Sequence, residues 1–181
     1  MRLDDYDQRG YQPGAGLLRR VVWYLLNALL FDSWLLPSST IKVKILRLFG
    51  AKIGNNVVIK PRVNIKYPWF LSIGDSVWIG ESVWLDNLDW IKIKSNVCIS
   101  QGAYLLTGNH DYKDPCFGLI ISQINVEDHA WLGANSVICP GVMVGRGAVI
   151  TAACVLKKSA VEYGVYEGNP AQYVRVRKLV P

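Results

Sequence analysis

Between Val126 and Leu156 an aliphatic side chain recurs at every sixth residue: Val126, Leu132, Ile138, Val144, Ile150 and Leu156. That period matches neither an amphipathic helix, at about 3.6, nor a half-buried strand, at about 2. It matches a parallel β-helix, in which each hexapeptide supplies one flat side of a triangular coil. The aliphatic points into the prism and stacks on its counterparts in the coils above and below. Four residues after each comes a compact one: Ala130, Ser136, Val142, Ala148, Cys154 and Ala160. This marks a second inward position, close to a corner. Gly133, Gly141, Gly145 and Gly147 suit the corners, where the backbone turns tightly.

The pattern extends towards the N-terminus in three sets: Ile53, Ile59 and Ile65; Ile73, Ile79 and Leu85; Ile93, Ile99 and Leu105. Successive sets are separated by eight residues instead of six, so two extra residues enter at the same corner of successive coils. The small position fails at Trp69, Asp89 and Asn109, each where the register breaks. The spacing predicts about five coils of eighteen residues, with one excursion over Thr107–Asn125. A β-sandwich of period-2 strands does not select one position in six.

Upstream, residues 1–16 are polar and contain Gly and Pro, which predicts an arm with little regular structure. Leu17 to Phe31 reads as a helix that continues to Leu36 before Pro37 stops it. Asn27 and Asp32 interrupt its apolar run, which falls short of the roughly 20 residues a membrane span needs. Arg19, Arg20, Trp23, Tyr24 and Trp34 suit a helix at a membrane interface. The same composition suits a helix packed on the base of the prism or on a neighbouring subunit. A second short helix is expected over Ile41–Phe49, capped by Gly50. The chain thus divides into residues 1–50 (arm and helices), 51–165 (the coils, with a 107–125 active-site loop) and 166–181 (a C-terminal extension) within one structural domain.

Charge adds one local feature. The net charge is +6, and Ser33 to Gly74 carries no acidic residue but seven basic ones, among them Lys42, Arg47, Lys60 and Lys66. Anionic lipid headgroups or a diphosphate-linked substrate fit a basic stretch beside an apolar helix. No nucleic-acid recognition motif accompanies it, and a solvated basic face is the plain alternative. Cys98, Cys116, Cys139 and Cys154 show no metal-ligand spacing. No cleavable signal pattern precedes the helix, which predicts a cytoplasmic location, with peripheral contact on the inner face of the membrane if residues 17–36 meet lipid.

A long loop leaving a tight solenoid is where function concentrates. This one carries His110, one of two histidines, within Thr107-Gly108-Asn109-His110-Asp111. Imidazole accepts and returns protons near neutral pH, as a general base must. His129 falls at a predicted corner and reads as a surface turn residue. Nucleophile-elbow, Walker and dinucleotide-binding patterns are absent.

The repeats, the Thr107–Asp111 segment and Gly168-Asn169-Pro170-Ala171 resemble the hexapeptide-repeat, left-handed β-helix acyltransferases. Within them the chain is most similar to sugar O-acetyltransferases of exopolysaccharide (colanic-acid type) gene clusters. The likeness includes the Leu17–Phe31 helix and Phe49-Gly50-Ala51-Lys52-Ile53-Gly54, and so covers nearly the whole chain. It implies an all-β, left-handed parallel β-helix with a short N-terminal helical segment. It also implies a homotrimer with the active site between neighbouring subunits. The reaction implied is acetyl transfer from acetyl-CoA to a hydroxyl of a nucleotide- or lipid-linked sugar, with His110 as general base and the Ala134 amide as oxyanion donor. Trp131, Ala134 and Ala152 would line the CoA arm. Lys157 and Lys158 would face its phosphates, and Pro170 and Arg175 would close over the adenine end. Lys157 stands where several relatives have Thr, and Gln172 where several have Arg, so the phosphate contacts depart from the family pattern. Relatives often place an acceptor-binding Asn near the position of Gly80. Here Glu81, Asp86 and Asn87 are the nearest polar candidates, with Asp111 beside His110. Asp111, Glu127, Asp128 or a backbone carbonyl could orient His110. No metal is implied: the γ-type carbonic anhydrases of this scaffold need three histidines. An amino-sugar N-acetyltransferase and a non-catalytic scaffold subunit are the competing readings.

Overall fold

In the computed structural model, which describes residues 2–179, the sixth-residue aliphatics stack into three columns. Ile53, Ile73, Ile93, Val126 and Val144 are in register on the first face of a prism. Ile59, Ile79, Ile99, Leu132 and Ile150 stack on the second. Ile65, Leu85, Leu105, Ile138 and Leu156 stack on the third. All are buried except Ile53, half-buried at the base. The strands are two or three residues long and parallel, so each contributes little alone and the columns carry the core. Met1, Val180 and Pro181, assigned to the terminal segments, lie outside the described residues.

The eight-residue steps have a simple structural meaning. The two added residues lengthen the first-face strand, which then turns two side chains inward: Leu71 with Ile73, Ile91 with Ile93, Ile124 with Val126. The small-residue position is kept at the other corners, where Ala130, Ser136, Ala148 and Cys154 are buried. The corners also follow a rule that the sequence did not display. The third residue after an inward aliphatic takes a left-handed conformation, as at Asn56, Asn96, His129, Asn135 and Gly147. Glycine is tolerant there, and Asn is the next best choice. Gly133 serves a different purpose. A Cβ on it would lie 2.6 Å from the Ala152 nitrogen of the next coil, so it is required for close approach.

The coil count differs slightly from expectation. The first and third faces have five strands each among the described residues. The second gains Gly164–Glu167 as a sixth parallel strand, and Ala160 bridges to Val144, so a partial sixth coil tops the prism. Gln172–Val176 then folds back antiparallel on Gly164–Glu167. The C-terminal extension is therefore in part an edge strand.

The base is closed by the N-terminal helices. Helix α1 (Leu17–Leu26) runs into a π-helical turn, Asn27–Phe31, and buries Trp23, Asn27 and Phe31. Helix α2 (Ser39–Leu48) starts at Ser38, whose hydroxyl accepts from the Ile41 amide. It ends with Gly50 N–H donating to Arg47 O and Ala51 N–H to Leu46 O, a Schellman closure. The first coil would otherwise expose an unpaired strand edge on each face. Arg47 donates to Ile53 O at 2.9 Å on the first face. Ser39 Oγ accepts from Ile59 N on the second. Asn27 Oδ1 accepts from Ile65 N, and Trp23 Nε1 donates to Ile65 O, on the third. Asn27, which interrupts the apolar run, is thus an edge cap. Leu17, Leu18, Val21, Tyr24 and Leu25 of α1 stay exposed. Among the described residues, no helix is long and apolar enough to cross a membrane.

The basic stretch does not form one face. Lys42 is fully buried and donates to Lys60 O, while Arg47 is spent on carbonyls. Lys52 and Lys60 lie over the rings of Trp90 and Trp78, and Lys66 pairs with Asp86.

Candidate active site

The excursion leaves the prism at the corner between the third and first faces. Its neck is fixed by Thr107, which is fully buried; its hydroxyl donates to Asp86 O and accepts from the Asp89 amide. Beyond it, Gly108–His110 and Leu119–Ile121 form an antiparallel hairpin, and Ser122 N–H closes the neck on Thr107 O. Ile124 and Asn125, assigned to the loop from sequence, are already in the next first-face strand.

The arm is strapped across this hairpin. Arg2 N–H donates to Pro115 O, Asp7 N–H to Cys116 O, and Leu119 N–H to Asp7 O. Arg9 pairs with Asp114 at 2.7 Å and Asp111 at 3.6 Å. That guanidinium lowers the Asp114 carboxyl below its usual range, first through the hydrogen bond it donates. Tyr11 OH donates to Leu88 O, and Trp69 Nε1 donates to Pro13 O. Residues 2–16 have little regular structure, as expected, but they are held in place.

His110 lies in the enclosure so formed. Its ring stacks on Phe117, with centroids 4.3 Å apart and planes 5° from parallel, and Tyr6 stands at 5.6 Å. Nδ1 lies 3.1 Å from Phe117 O. A carbonyl can only accept, so Nδ1 carries the hydrogen and the neutral ring keeps its lone pair on Nε2. Of the candidates to orient His110, the geometry selects a backbone carbonyl. A cavity of about 520 Å³ opens beside it, lined by Tyr11, Arg20, Lys66, Tyr67 and Leu88 among others.

The acceptor candidates scatter. Asn87 is fully buried, its amide clamping Tyr67 N–H and O at 2.9 and 2.6 Å, so it has no polar atom to offer a substrate. Asp86 is held by Lys66 at 3.0 Å and by Tyr104 OH. Burial, then Asp86, pushes the Tyr104 phenol up to about 12, so it stays a donor. Asp111 turns to Arg9 and the Lys113 amide. Glu81 lines a separate cavity on the second face, with Trp78 and Ser100.

The residues assigned to the CoA arm lie elsewhere on the prism. Trp131 points outward from the second face, with Nε1 donating to Ser100 Oγ. Ala134 and Ala152 share the corner between the second and third faces in successive coils, and Ala153 N–H donates to Ala134 O. The Ala134 N–H has no hydrogen-bond partner among the described residues. Gly168 O and Ala171 N–H clasp Val155 just above, which brings Pro170 over this ridge. Lys157 and Lys158 are exposed at the next corner, and Arg175 is exposed on the edge strand. His110 and Ala134 therefore stand on different corners of one chain, and the cavity at His110 includes none of the CoA-assigned residues. Among the described residues no three His, Cys, Asp or Glu side chains gather to hold a metal.

A stacked, short-stranded prism with one histidine-bearing hairpin defines a class, and comparison with known proteins agrees. Residues 123–158 match the family model "Hexapeptide repeat of succinyl-transferase". The chain belongs to the hexapeptide-repeat acetyltransferases. It is 39% identical over 166 residues to WcaF of Escherichia coli K12, a protein named as a colanic acid biosynthesis acetyltransferase, covering 91% of this chain and 90% of that one. A hexapeptide-repeat acetyltransferase of Vibrio cholerae, solved with acetyl-CoA, superposes with a TM-score of 0.81 at 22% identity, over 98% of this chain and all of that one. A galactoside acetyltransferase solved with coenzyme A gives 0.79 at 20% identity, over 98% of this chain and 92% of that one.

Sequence reasoning missed Tyr6, Tyr11, Arg20 and Tyr67 as cavity residues. The aromatics of the arm were a faint signal, but no spacing rule says that an arm folds over a loop about a hundred residues away.

Proposed function

We propose that this chain is an acetyl-CoA-dependent O-acetyltransferase acting on a sugar hydroxyl in exopolysaccharide or cell-surface glycan synthesis, with His110 as general base. The observation that carries the reading is the hydrogen bond from His110 Nδ1 to Phe117 O. It fixes the tautomer that can accept a proton at Nε2, inside a cavity of the size a sugar needs. Nε2 takes the hydroxyl proton as the sugar oxygen attacks the thioester carbonyl. The new C–O bond forms, the C–S bond breaks, and the departing thiolate recovers the proton from Nε2. Meanwhile the carbonyl oxygen becomes an oxyanion, for which the unpartnered Ala134 N–H is a ready donor.

His110 and Ala134 occupy different corners, so the reaction is assigned to a homotrimer in which His110 of one subunit faces the ridge of the next. The small side chains of Ala134 and Ala152 fit a ridge that a pantetheine arm must approach closely. Trp131 flanks that ridge, Lys157 and Lys158 supply charge for phosphates, and Pro170 and Arg175 close the adenine end. The enzyme would work in the cytoplasm, at the inner face of the membrane.

The test is release of free CoA thiol from acetyl-CoA across a panel of nucleotide sugars and lipid-linked saccharides. Wild type should give acceptor-dependent release. His110→Ala should lose it by at least about a hundredfold, the scale of general-base catalysis, while still binding CoA. Equal turnover in the two proteins would remove His110 from the chemistry.

A further inference from the structure

The cavity beside His110 has a neighbour. It shares Arg20, Lys66 and Tyr67 with a second cavity of about 400 Å³, between α1 and the third face, walled by Leu17, Val21, Tyr24 and Trp84. The two adjoin at these three side chains, one reaching the histidine and the other the apolar residues of α1. The charges that line them are Arg20 and Lys66, and no carboxylate lines either. Lys66 is pinned by Asp86 at 3.0 Å. Arg20 is not: it lines both cavities, and among the described residues its guanidinium makes no hydrogen bond and no ion pair. A guanidinium on a cavity wall with no carboxylate partner can give its N–H groups to an anionic acceptor that arrives with the ligand.

We infer that the two cavities together hold a glycosyl diphosphate carried on a lipid. Its sugar lies at His110, its diphosphate at Arg20 with Lys66 at the rim, and the start of its apolar chain along α1. The inference rests on His110 being the base for a sugar hydroxyl. The alternative carrier is a nucleotide, and the apolar wall argues against it. Asn27 and Asn64, the amides at that end, are spent on each other, on Ile65 N–H and on Asp32, so they are not free to read the edge of a nucleobase. Leu17, Val21 and Tyr24 lead instead to the exposed side of α1, where Leu18 and Leu25 continue an apolar surface fit for a membrane interface.

Binding separates this inference from the catalytic reading, because it needs no turnover. Geranylgeranyl diphosphate, below its micellar concentration, would be titrated into the full-length protein and compared with inorganic diphosphate, UDP and geranylgeraniol. The expected result is at least tenfold tighter binding of the lipid diphosphate than of any of the three, in wild type and His110→Ala alike. Arg20→Gln should weaken it about tenfold to a hundredfold, the scale of a lost charge-assisted hydrogen bond. Val21→Glu, on an exposed helix position, should weaken the lipid diphosphate but not inorganic diphosphate. UDP binding as tightly as the lipid diphosphate would assign a nucleotide carrier and overturn the inference. So would unchanged binding in Arg20→Gln, or no binding of any probe. Loss of acetylation in His110→Ala with binding intact would leave both readings standing. Binding intact with no histidine dependence of acetylation would sink the catalytic reading and with it the sugar's place at His110, leaving only the lipid diphosphate at Arg20.

Discussion

Lys42 has no accessible surface and, among the described residues, no carboxylate partner; its ammonium donates to Lys60 O and lies over the Phe31 ring. Desolvation lowers its pKa to about 8, against about 10.4 for a free lysine. Below pH 8 the lysine is charged in both folded and unfolded chains, and the folded chain bears the cost of burying that charge. Between about 8 and 10.4 the folded state sheds the proton while the unfolded state keeps it, so this group adds stability as pH rises. Denaturant unfolding at pH 7.5 and 9.5 should show wild type gaining on Lys42→Met between the two. A difference that does not change with pH would contradict the assignment. Read from sequence, Lys42 was one of seven basic residues in an acid-free run, with nothing to separate it from a solvated charge. Burial here is set by how α2 lies on the coil, which local pattern does not encode. The core residues are the opposite case. Leu105→Ala, in the middle of the third column, should cost about 2–5 kcal/mol in chemical denaturation, and its inward placement followed from spacing alone.

At the scale of elements, the capping helices and the hairpin were legible to different depths. The second helix was placed nearly to the residue, because Gly50 marks its end, whereas the first, expected to continue to Leu36, already ends at Phe31, short of Pro37. That Asn27 caps a strand edge was not legible, since an Asn in an apolar run reads as an interruption until the strand it faces is known. Asn27→Leu keeps the branched shape but strips Ile65 N–H of its acceptor. It should destabilise the fold by about 1–3 kcal/mol, as buried unsatisfied donors do. The hairpin was legible as a long loop bearing a histidine. Its strap was not, because Arg9 meets Asp114 across 105 residues of chain. Arg9→Ala should speed hydrogen exchange at Asp7 and Leu119 and raise the KM for the sugar acceptor, leaving the KM for acetyl-CoA unchanged. Unaltered exchange would mean that the arm is held by its backbone hydrogen bonds alone.

At the scale of the molecule, a period of six gave the register of every column, because each hexapeptide places one large aliphatic at the same point of a side and a smaller inward residue near its corner. The proposed site was less legible, since the residues assigned to it lie at two corners of the chain. The account therefore makes one demand of the assembly: His110 of one copy must work with the ridge of another. Two inactive variants test it, His110→Ala and Ala152→Trp, the latter placing a bulky side chain on the exposed ridge. Each should be dead as a homotrimer. Mixed by denaturation and refolding, they should recover about a quarter of wild-type acetyl transfer by random assembly of a closed ring. If the mixture forms trimers and recovers nothing, the site does not draw His110 and the ridge from different copies, and the account fails at its centre.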